Sequence, residues 1–250
     1  MHAAPLVSLI GPTGMPRLPF LRHMIRYARR QTYENWELVL LSDSDDVPLR
    51  LELGHDPRIR YFGAPPFKTL GDKRNAAVEL ARGSVLAVWD DDDWNAPERL
   101  AVSVETMQRT GADFVAQSGG YQHQLGTEHG TLYKDPTRLP HSFVFGSALF
   151  TKELWTRVGG FPSLPISEDV AFVRRAHELG AKVAPILRDD LYVVINHGGN
   201  ACGRSSYVSD PTWDRPEDPE AVFRILGDDA ALYRDPAKLA AEWRRYREGR

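Results

Sequence analysis

Val85-Leu86-Ala87-Val88-Trp89-Asp90-Asp91-Asp92-Asp93-Trp94 passes from five apolar residues straight into four consecutive carboxylates. A short apolar run with a polar stop reads as a strand buried on both faces. Such a strand needs helices above and below it, which predicts a parallel sheet in an α/β fold. Its neighbours agree. Asp72 to Ala81 has a helical pattern that stops at Arg82-Gly83, a basic last turn followed by glycine. Pro97 opens a second helix, which runs to about Thr110 before Gly111.

The same alternation extends outward. Leu6 to Ile10 reads as a strand ending at Gly11-Pro12. Leu18 to Arg30 carries Leu18, Leu21, Ile25 and Ala28 near helical spacing. Glu37 to Leu41 and Ile59 to Phe62 are further strands. Beyond the second helix, Phe114 to Ser118 and Phe143 to Phe150 read as strands, with a hairpin between them over Gly119 to Lys134. Lys152 to Val158 is a short helix before Gly159-Gly160. Glu168 to Leu179 is a helix with Val170, Val173, Ala176 and Leu179 on one face, and Tyr192 to Asn196 is a last strand. Pro219–Leu226 and Pro236–Arg247 read as helices after a Gly/Ser/Pro/Asp-rich stretch. The expected architecture is a mixed, mainly parallel, Rossmann-type α/β sheet flanked by helices. Residues 1–200 would form that domain, and 201–250 a small helical extension packed on it.

Composition narrows the function. The 250 residues carry 42% hydrophobic and 26% charged side chains, ordinary globular usage. The formal net charge of −3 gives no global field for nucleic acid, so none is expected as a partner. One cysteine, Cys202, excludes an intramolecular disulfide and a cysteine-based zinc cage. His123, His129 and His141 match no compact zinc pattern. There is no P-loop, no HExxH, no GxSxG and no Rossmann glycine spacing. No apolar run approaches the ~18–20 residues of a membrane helix. The start of the chain lacks a basic segment followed by an apolar one. The expected location is cytoplasmic, with contact at the inner face of a membrane left open.

In a sheet of this kind ligands bind beyond the carboxyl ends of the strands. The acidic stretches Ser42–Asp46 and Asp90–Asp93 each follow a strand, so both should face one crevice. Adjacent carboxylates at a strand end repel one another unless a cation or solvent absorbs the charge. Mg²⁺ binds through one or two carboxylates plus substrate phosphates, which suits a nucleoside diphosphate; a solvated turn capping the next helix explains the same residues. Ser167-Glu168-Asp169 opens a helix, where carboxylates serve either as caps or as a general base. Asp72-Lys73-Arg74-Asn75 suits a phosphate at a helix N-terminus, or a plain surface start with Asp72 as N-cap. His197, after a strand, is a metal ligand or an ordinary polar residue.

In order along the chain, these signals resemble family 2 glycosyltransferases, which have the GT-A fold. Val7-Ser8-Leu9-Ile10-Gly11-Pro12-Thr13 resembles the family's opening strand, and Gln31-Thr32-Tyr33-Glu34-Asn35-Trp36-Glu37-Leu38-Val39 the junction into its second. Arg74-Asn75 and Ala81-Arg82-Gly83-Ser84 resemble the approach to the acidic motif. Trp89-Asp90-Asp91-Asp92-Asp93-Trp94 and Pro97-Glu98-Arg99-Leu100 are similar to the DxD loop and its following helix. Gly159-Gly160-Phe161 and Glu168-Asp169 resemble the stretch that carries the base. The resemblance spans about residues 5 to 200.

It implies a metal-dependent, inverting transfer from a nucleoside diphosphate sugar to an acceptor hydroxyl. Asp169 would be the base. Asp43 would bind the donor's nucleobase, with Pro12 and Thr13 lining that pocket. Arg74 would lie near the base or the diphosphate, and Asp90 or Asp91 near the ribose. Gly146 and Ser147 would flank donor and acceptor. Asp92 and His197 would ligate Mn²⁺ or Mg²⁺. An acid meeting a ring N–H suits UDP first, with dTDP or GDP open. The acceptor class stays open between a glycan, a lipid-linked glycan and a small molecule. Ala237 to Arg250, basic and amphipathic, suits packing on the domain, docking on a second subunit or contact with anionic membrane. Two other functions compete: a nucleotidyltransferase on a similar sheet, and a non-catalytic nucleotide- or carbohydrate-binding module.

Overall fold

A computed structural model describes residues 4–14, 18–43, 56–125, 130–134, 143–164, 166–197, 200, 213–214, 218, 220–235 and 237. Ser44–Asp46, Cys202, His129, His141 and almost all of Pro236–Arg250 lie outside the described residues.

The main sheet is built from β1 (Val7–Thr13), β2 (Trp36–Ser42), β3 (Ile59–Gly63), β4 (Val85–Val88), β6 (Phe114–Gln117), β9 (Leu149–Thr151) and β10 (Val183–Ile186). Their order is β10-β6-β9-β4-β1-β2-β3, and every strand is parallel to the rest except β9, which lies antiparallel between β6 and β4. A second sheet has the order β12-β8-β7-β11-β5. Its strands are β5 (Trp94–Asn95), β7 (Gly119–Gln124), β8 (Gly130–Lys134), β11 (Tyr192–Asn196) and β12 (Trp213–Asp214). β7 and β8 form the expected antiparallel hairpin.

The period of two in a strand explains why the central runs are continuously apolar. Val7, Leu9, Leu38, Leu40, Val85 and Ala87 enter one core cluster. Ile10, Val39, Leu41, Leu86 and Val88 enter the other, on the opposite face. The first face is covered by α1 (Leu18–Arg29), through Leu21, Met24, Ile25, Tyr27 and Ala28, and by α3 (Arg99–Thr110), through Leu100, Val104 and Met107. The second is covered by α2 (Leu70–Leu80), through Ala77 and Val78, by α4 (Lys152–Val158), through Leu154, and by α5 (Glu168–Glu178), through Phe172 and Ala176. The short helices α6 (Ala221–Leu226) and α7 (Ala230–Arg234) contribute Val222, Phe223, Leu226 and Tyr233 to the first cluster.

Several local expectations change. Thr69, not Asp72, caps α2: its hydroxyl accepts from the Asp72 amide at 3.1 Å and donates to the Asp72 carboxylate at 2.8 Å. Asp72 thus fills the reciprocal position of a capping box. Helix α3 begins at Arg99, two residues after Pro97. Phe143 to Phe150 is not one strand: a 3₁₀ turn at Phe145–Ser147 precedes β9. On α5 the buried stripe is Phe172 and Ala176, while Val170 is 64% exposed and Leu179 36% exposed. The helix packs on α2 and α4 instead of presenting all its apolar residues to one face.

Asp229 joins the C-terminal helices to the rest of the core. It accepts from the Trp94 indole at 2.7 Å and from Arg30 at 2.6 Å, and it also pairs with Arg26. Beside it, burial lowers the pKa of His23 to about 4, helped by Arg26 and Arg22 and opposed by Asp229. The native state therefore prefers neutral His23, while the unfolded chain protonates it near pH 6.5. This contribution is complete above pH 6.5 and is lost as the pH falls towards 4. With screening by solvent the loss amounts to about 2 kcal/mol. Thermal unfolding of His23→Gln should show a shallower fall over that interval than the unaltered chain; parallel curves would contradict this.

Among the described residues no helix is long and apolar enough to cross a membrane.

Candidate functional site

The carboxyl ends of β1, β2 and β4 open on one side of the main sheet. The parallel register sets Thr13 opposite Ser42, so Asp43 leaves β2 beside the end of β1, and Asp90 to Asp93 leave β4 on the other side of it. The four acids look alike in sequence but have different partners.

Asp90 receives Arg74 Nη2 at 3.0 Å. Asp91 Oδ2 accepts the Thr13 hydroxyl at 2.7 Å. Asp92 Oδ2 lies 3.0 Å from His197 Nε2 and 3.3 Å from Asn200 Nδ2. Asp93 points inward, accepting the Ile195 amide at 2.8 Å and the Tyr192 hydroxyl. Burial, then the neighbouring Asp92 and Asp90, pushes the Asp93 pKa well above the usual carboxylate range. Burial also raises Asp90, against the pull of Arg74. Asp93 thus fastens the loop to β11, while Asp90, Asp91 and Asp92 meet Arg74, Thr13 and His197 at the carboxyl end of the sheet.

The loop also rests on Arg99, which the sequence reading gave no site role. Its guanidinium donates to the Val88 carbonyl at 2.7 Å and the Gly146 carbonyl at 2.8 Å, and it contacts Asn95. It lies over the rings of Trp89 and Tyr192, 4.8 and 5.1 Å from their centroids. Burial lowers its pKa to about 10, leaving it charged at neutral pH. Gly146 is needed there because a Cβ would overlap the Tyr192 hydroxyl. The 145–147 turn is thereby held against the base of the acidic loop.

On the β2 side, Asp43 Oδ2 pairs with Lys73 at 2.7 Å, and Lys73 also donates to the Thr13 carbonyl. Asp43 Oδ1 is buried and has no hydrogen-bond partner among the described residues. Pro12 and Thr13 are buried at the end of β1 beside it. The sequence offers Lys73 as part of a helix start that suits a phosphate or lies on the surface, whereas here its side chain is buried. Its role depends on a contact 60 residues away in the chain.

Arg74 bridges two carboxylates, giving Nη1 to Glu168 at 3.1 Å and Nη2 to Asp90 at 3.0 Å. Burial disfavours its charge, but Asp90 and Glu168 outweigh that and raise its pKa. Burial likewise raises Glu168, opposed by Arg74. Asp169 follows Glu168 in the first turn of α5, partly exposed, with Oδ1 accepting the Val170 amide at 2.7 Å. Asn75 ties the preceding loop to α2: its side chain donates to the Phe161 carbonyl at 2.8 Å and accepts the Phe161 amide at 2.7 Å.

Among the described residues no three His, Cys, Asp or Glu side chains group as a metal cage. The Asp92–His197 pair is a carboxylate oxygen beside an imidazole nitrogen, a donor set that suits Mn²⁺, and suits Mg²⁺ less. A cation held by two protein ligands needs its remaining positions filled by water or by substrate oxygens. The residues fit a half-site of that kind. His197 also packs on Phe20, ring centroids 4.5 Å apart, so it is fixed from its other side.

The profile described as "Glycosyl transferase family 2" matches residues 16–162. A protein of Escherichia coli (strain K12) named for colanic acid biosynthesis glycosyl transfer, WcaA, is 29% identical over 144 residues, 56% of this chain and 50% of that one. The chain spans at most half the length of the first curated relatives it matches. Among solved structures, S. aureus TarS 1–349 in complex with UDP-GlcNAc superposes with a TM-score of 0.61 at 17% identity, over 91% of this chain and 66% of that one. The mannosyltransferase PcManGT from Pyrobaculum calidifontis, in complex with GDP-Man and Mn²⁺, gives 0.60 at 19%, over 82% and 59%. At these identities the likeness establishes the fold.

Proposed function

The chain belongs to glycosyl transferase family 2, and from that membership and the crevice geometry we propose that it moves a sugar from a nucleoside diphosphate sugar to an acceptor hydroxyl. The observation that carries this reading is that the carboxyl end of the main sheet brings together the Asp92–His197 pair and, past Thr13, the Asp43 carboxylate, whose buried Oδ1 has no partner among the described residues. A buried acceptor atom without a partner costs about 1–3 kcal/mol, so a ligand N–H that reaches it gains affinity.

Asp43 takes that N–H from the nucleobase, with Pro12 and Thr13 as the pocket wall. The imino N–H of uracil suits it first; that of thymine is equivalent, and guanine also has one. Both UDP and GDP sugars occur in the structural neighbours. Asp90 and Asp91 face the ribose, with Arg74 behind Asp90. Asp92 and His197 would hold Mn²⁺ or Mg²⁺, which when bound neutralises charge developing on the leaving diphosphate. Gly146 and Ser147 lie in the 145–147 turn, which flanks donor and acceptor in this reading. Asp169 accepts the proton of the acceptor hydroxyl as its oxygen attacks the anomeric carbon. The new C–O bond forms on one face while the bond to the diphosphate breaks on the other, which inverts the anomeric centre. The proton then passes from Asp169 to solvent.

Residues 1–200 are proposed as the catalytic unit and 201–250 as its extension. The acceptor is a glycan, a lipid-linked glycan or a small molecule. Ala237–Arg250 is proposed to pack on the domain, to dock on a second subunit or to meet an anionic membrane face.

The test is turnover of UDP-, dTDP- and GDP-sugars with Mn²⁺ and a panel of acceptor glycosides. Release of nucleoside diphosphate with an inverted glycoside supports the reading. Pyrophosphate release from a nucleoside triphosphate and a sugar phosphate would replace it with nucleotidyl transfer. Binding without turnover across the panel would favour a binding module.

A further inference from the structure

We infer that Glu168, acting through Arg74, is a positioning residue that ties the first turn of α5, and with it Asp169, to the acidic loop after β4. The inference rests on reading that loop as the nucleotide site and Asp169 as the base.

The bridge itself is the first observation. Arg74 is 7% exposed and uses a different nitrogen for each carboxylate, Nη1 for Glu168 and Nη2 for Asp90. A planar guanidinium held at two corners cannot shift towards one partner without loosening the other. Glu168 is itself buried, where a carboxylate that only favoured the helix dipole would stay in solvent.

The second observation is how α5 begins. Ser167 has φ 65°, the one positive value at a non-glycine among the described residues, and its side chain makes no capping bond. A left-handed serine costs about 1–2 kcal/mol, so something beyond the local sequence holds it there. The Glu168–Arg74 pair is a tertiary contact at that turn, next to Ser167.

The third is the seat beneath it. At Gly71 a Cβ would overlap the Pro162 carbonyl and lie 3.4 Å from Glu168 Cβ. Helix α2 therefore passes directly under the start of α5, and Ser163 is tied to Asp72 at 2.9 Å. From Asp169 to Asp90 there is one continuous path: backbone, the Glu168 carboxylate, the Arg74 guanidinium and the Asp90 carboxylate. A nucleotide that orders Asp90 orders the base by the same path, without touching it.

Amide hydrogen exchange on the intact chain tests this, with UDP plus Mn²⁺ and GDP plus Mn²⁺ as probes. In the unaltered chain both segments 88–96 and 166–173 should exchange about threefold more slowly, or slower still, with the nucleotide that binds. In Glu168→Gln, which keeps the shape and one acceptor for Arg74, the slowing should persist in 88–96 and vanish in 166–173. Glu168→Asp, one methylene too short to reach the Arg74 guanidinium from its 3.1 Å contact, should separate the segments in the same way and serves if the glutamine variant does not fold. Equal slowing of 166–173 in variant and unaltered chain overturns the inference. So does slowing of 88–96 alone in the unaltered chain, which leaves the nucleotide site standing. No slowing anywhere with either nucleotide overturns the nucleotide-site reading, and the inference with it.

Discussion

Asp92→Ala is expected to abolish the Mn²⁺-dependent part of nucleoside diphosphate binding while leaving the protein folded. Asp92 meets His197 at 3.0 Å and Asn200 at 3.3 Å, and the other three acids are engaged elsewhere, with Arg74, Thr13 and Tyr192. Even an outer-shell partner of a metal ligand costs 10–100-fold when removed, so losing a ligand from a two-ligand half-site should cost about 100-fold or more. Folding should tolerate the change, because Asp92 is one of the charges that push Asp90 and Asp93 upward. Titration calorimetry of the nucleotide with and without Mn²⁺ reads this directly. An unchanged Mn²⁺ dependence would remove Asp92 from the site.

Asp169→Asn should separate binding from chemistry. Asparagine keeps the size of the side chain and an oxygen for the Val170 amide, now 2.7 Å away, but it cannot take a proton at neutral pH. General-base removal typically costs about 10²–10⁴-fold in rate. Donor affinity should stay within about twofold, because Asp169 is outside the contacts proposed for the nucleotide. Initial rates at saturating donor, with calorimetry on the same sample, check both halves. A wild-type rate would show that another group accepts the proton.

The sequence makes the scaffold legible wherever burial on both faces produces an unbroken apolar run. Leu6–Ile10, Glu37–Leu41 and Val85–Val88 come close to such runs, broken only by Ser8 and Glu37, which bond to each other at 2.7 Å, and all three fall on strands of the main sheet. Lys152–Val158 and Tyr192–Asn196 match element for element. Elements without a pattern of their own are not visible. β5 is two residues long, and β10 contains Pro185, which argues against a strand unless its register is known. The 3₁₀ turn at 145–147 hides inside an apolar stretch.

The site divides the same way. Acidic residues at strand ends mark a crevice, but four identical carboxylates cannot be sorted by reading them. Their roles come from partners far off in the chain, such as Tyr192 for Asp93 and His197 for Asp92. Glu168 and Asp169 look equivalent as first-turn acids. The guanidinium of Arg74, 94 residues from Glu168, holds that carboxylate buried, while Asp169 stays partly exposed. Lys73 and Arg99 were legible as charges, without the signal that both are buried.

Thermal unfolding with UDP, dTDP, GDP and ADP, each with and without Mn²⁺, tests the central claim most directly. A ligand at about 100 times its Kd adds about 2.7 kcal/mol of stability, a visible rise in Tm. The account predicts a rise that needs both Mn²⁺ and one nucleotide with a ring N–H for Asp43, with ADP inactive. Equal rises with all four nucleotides, or none with any, would contradict it.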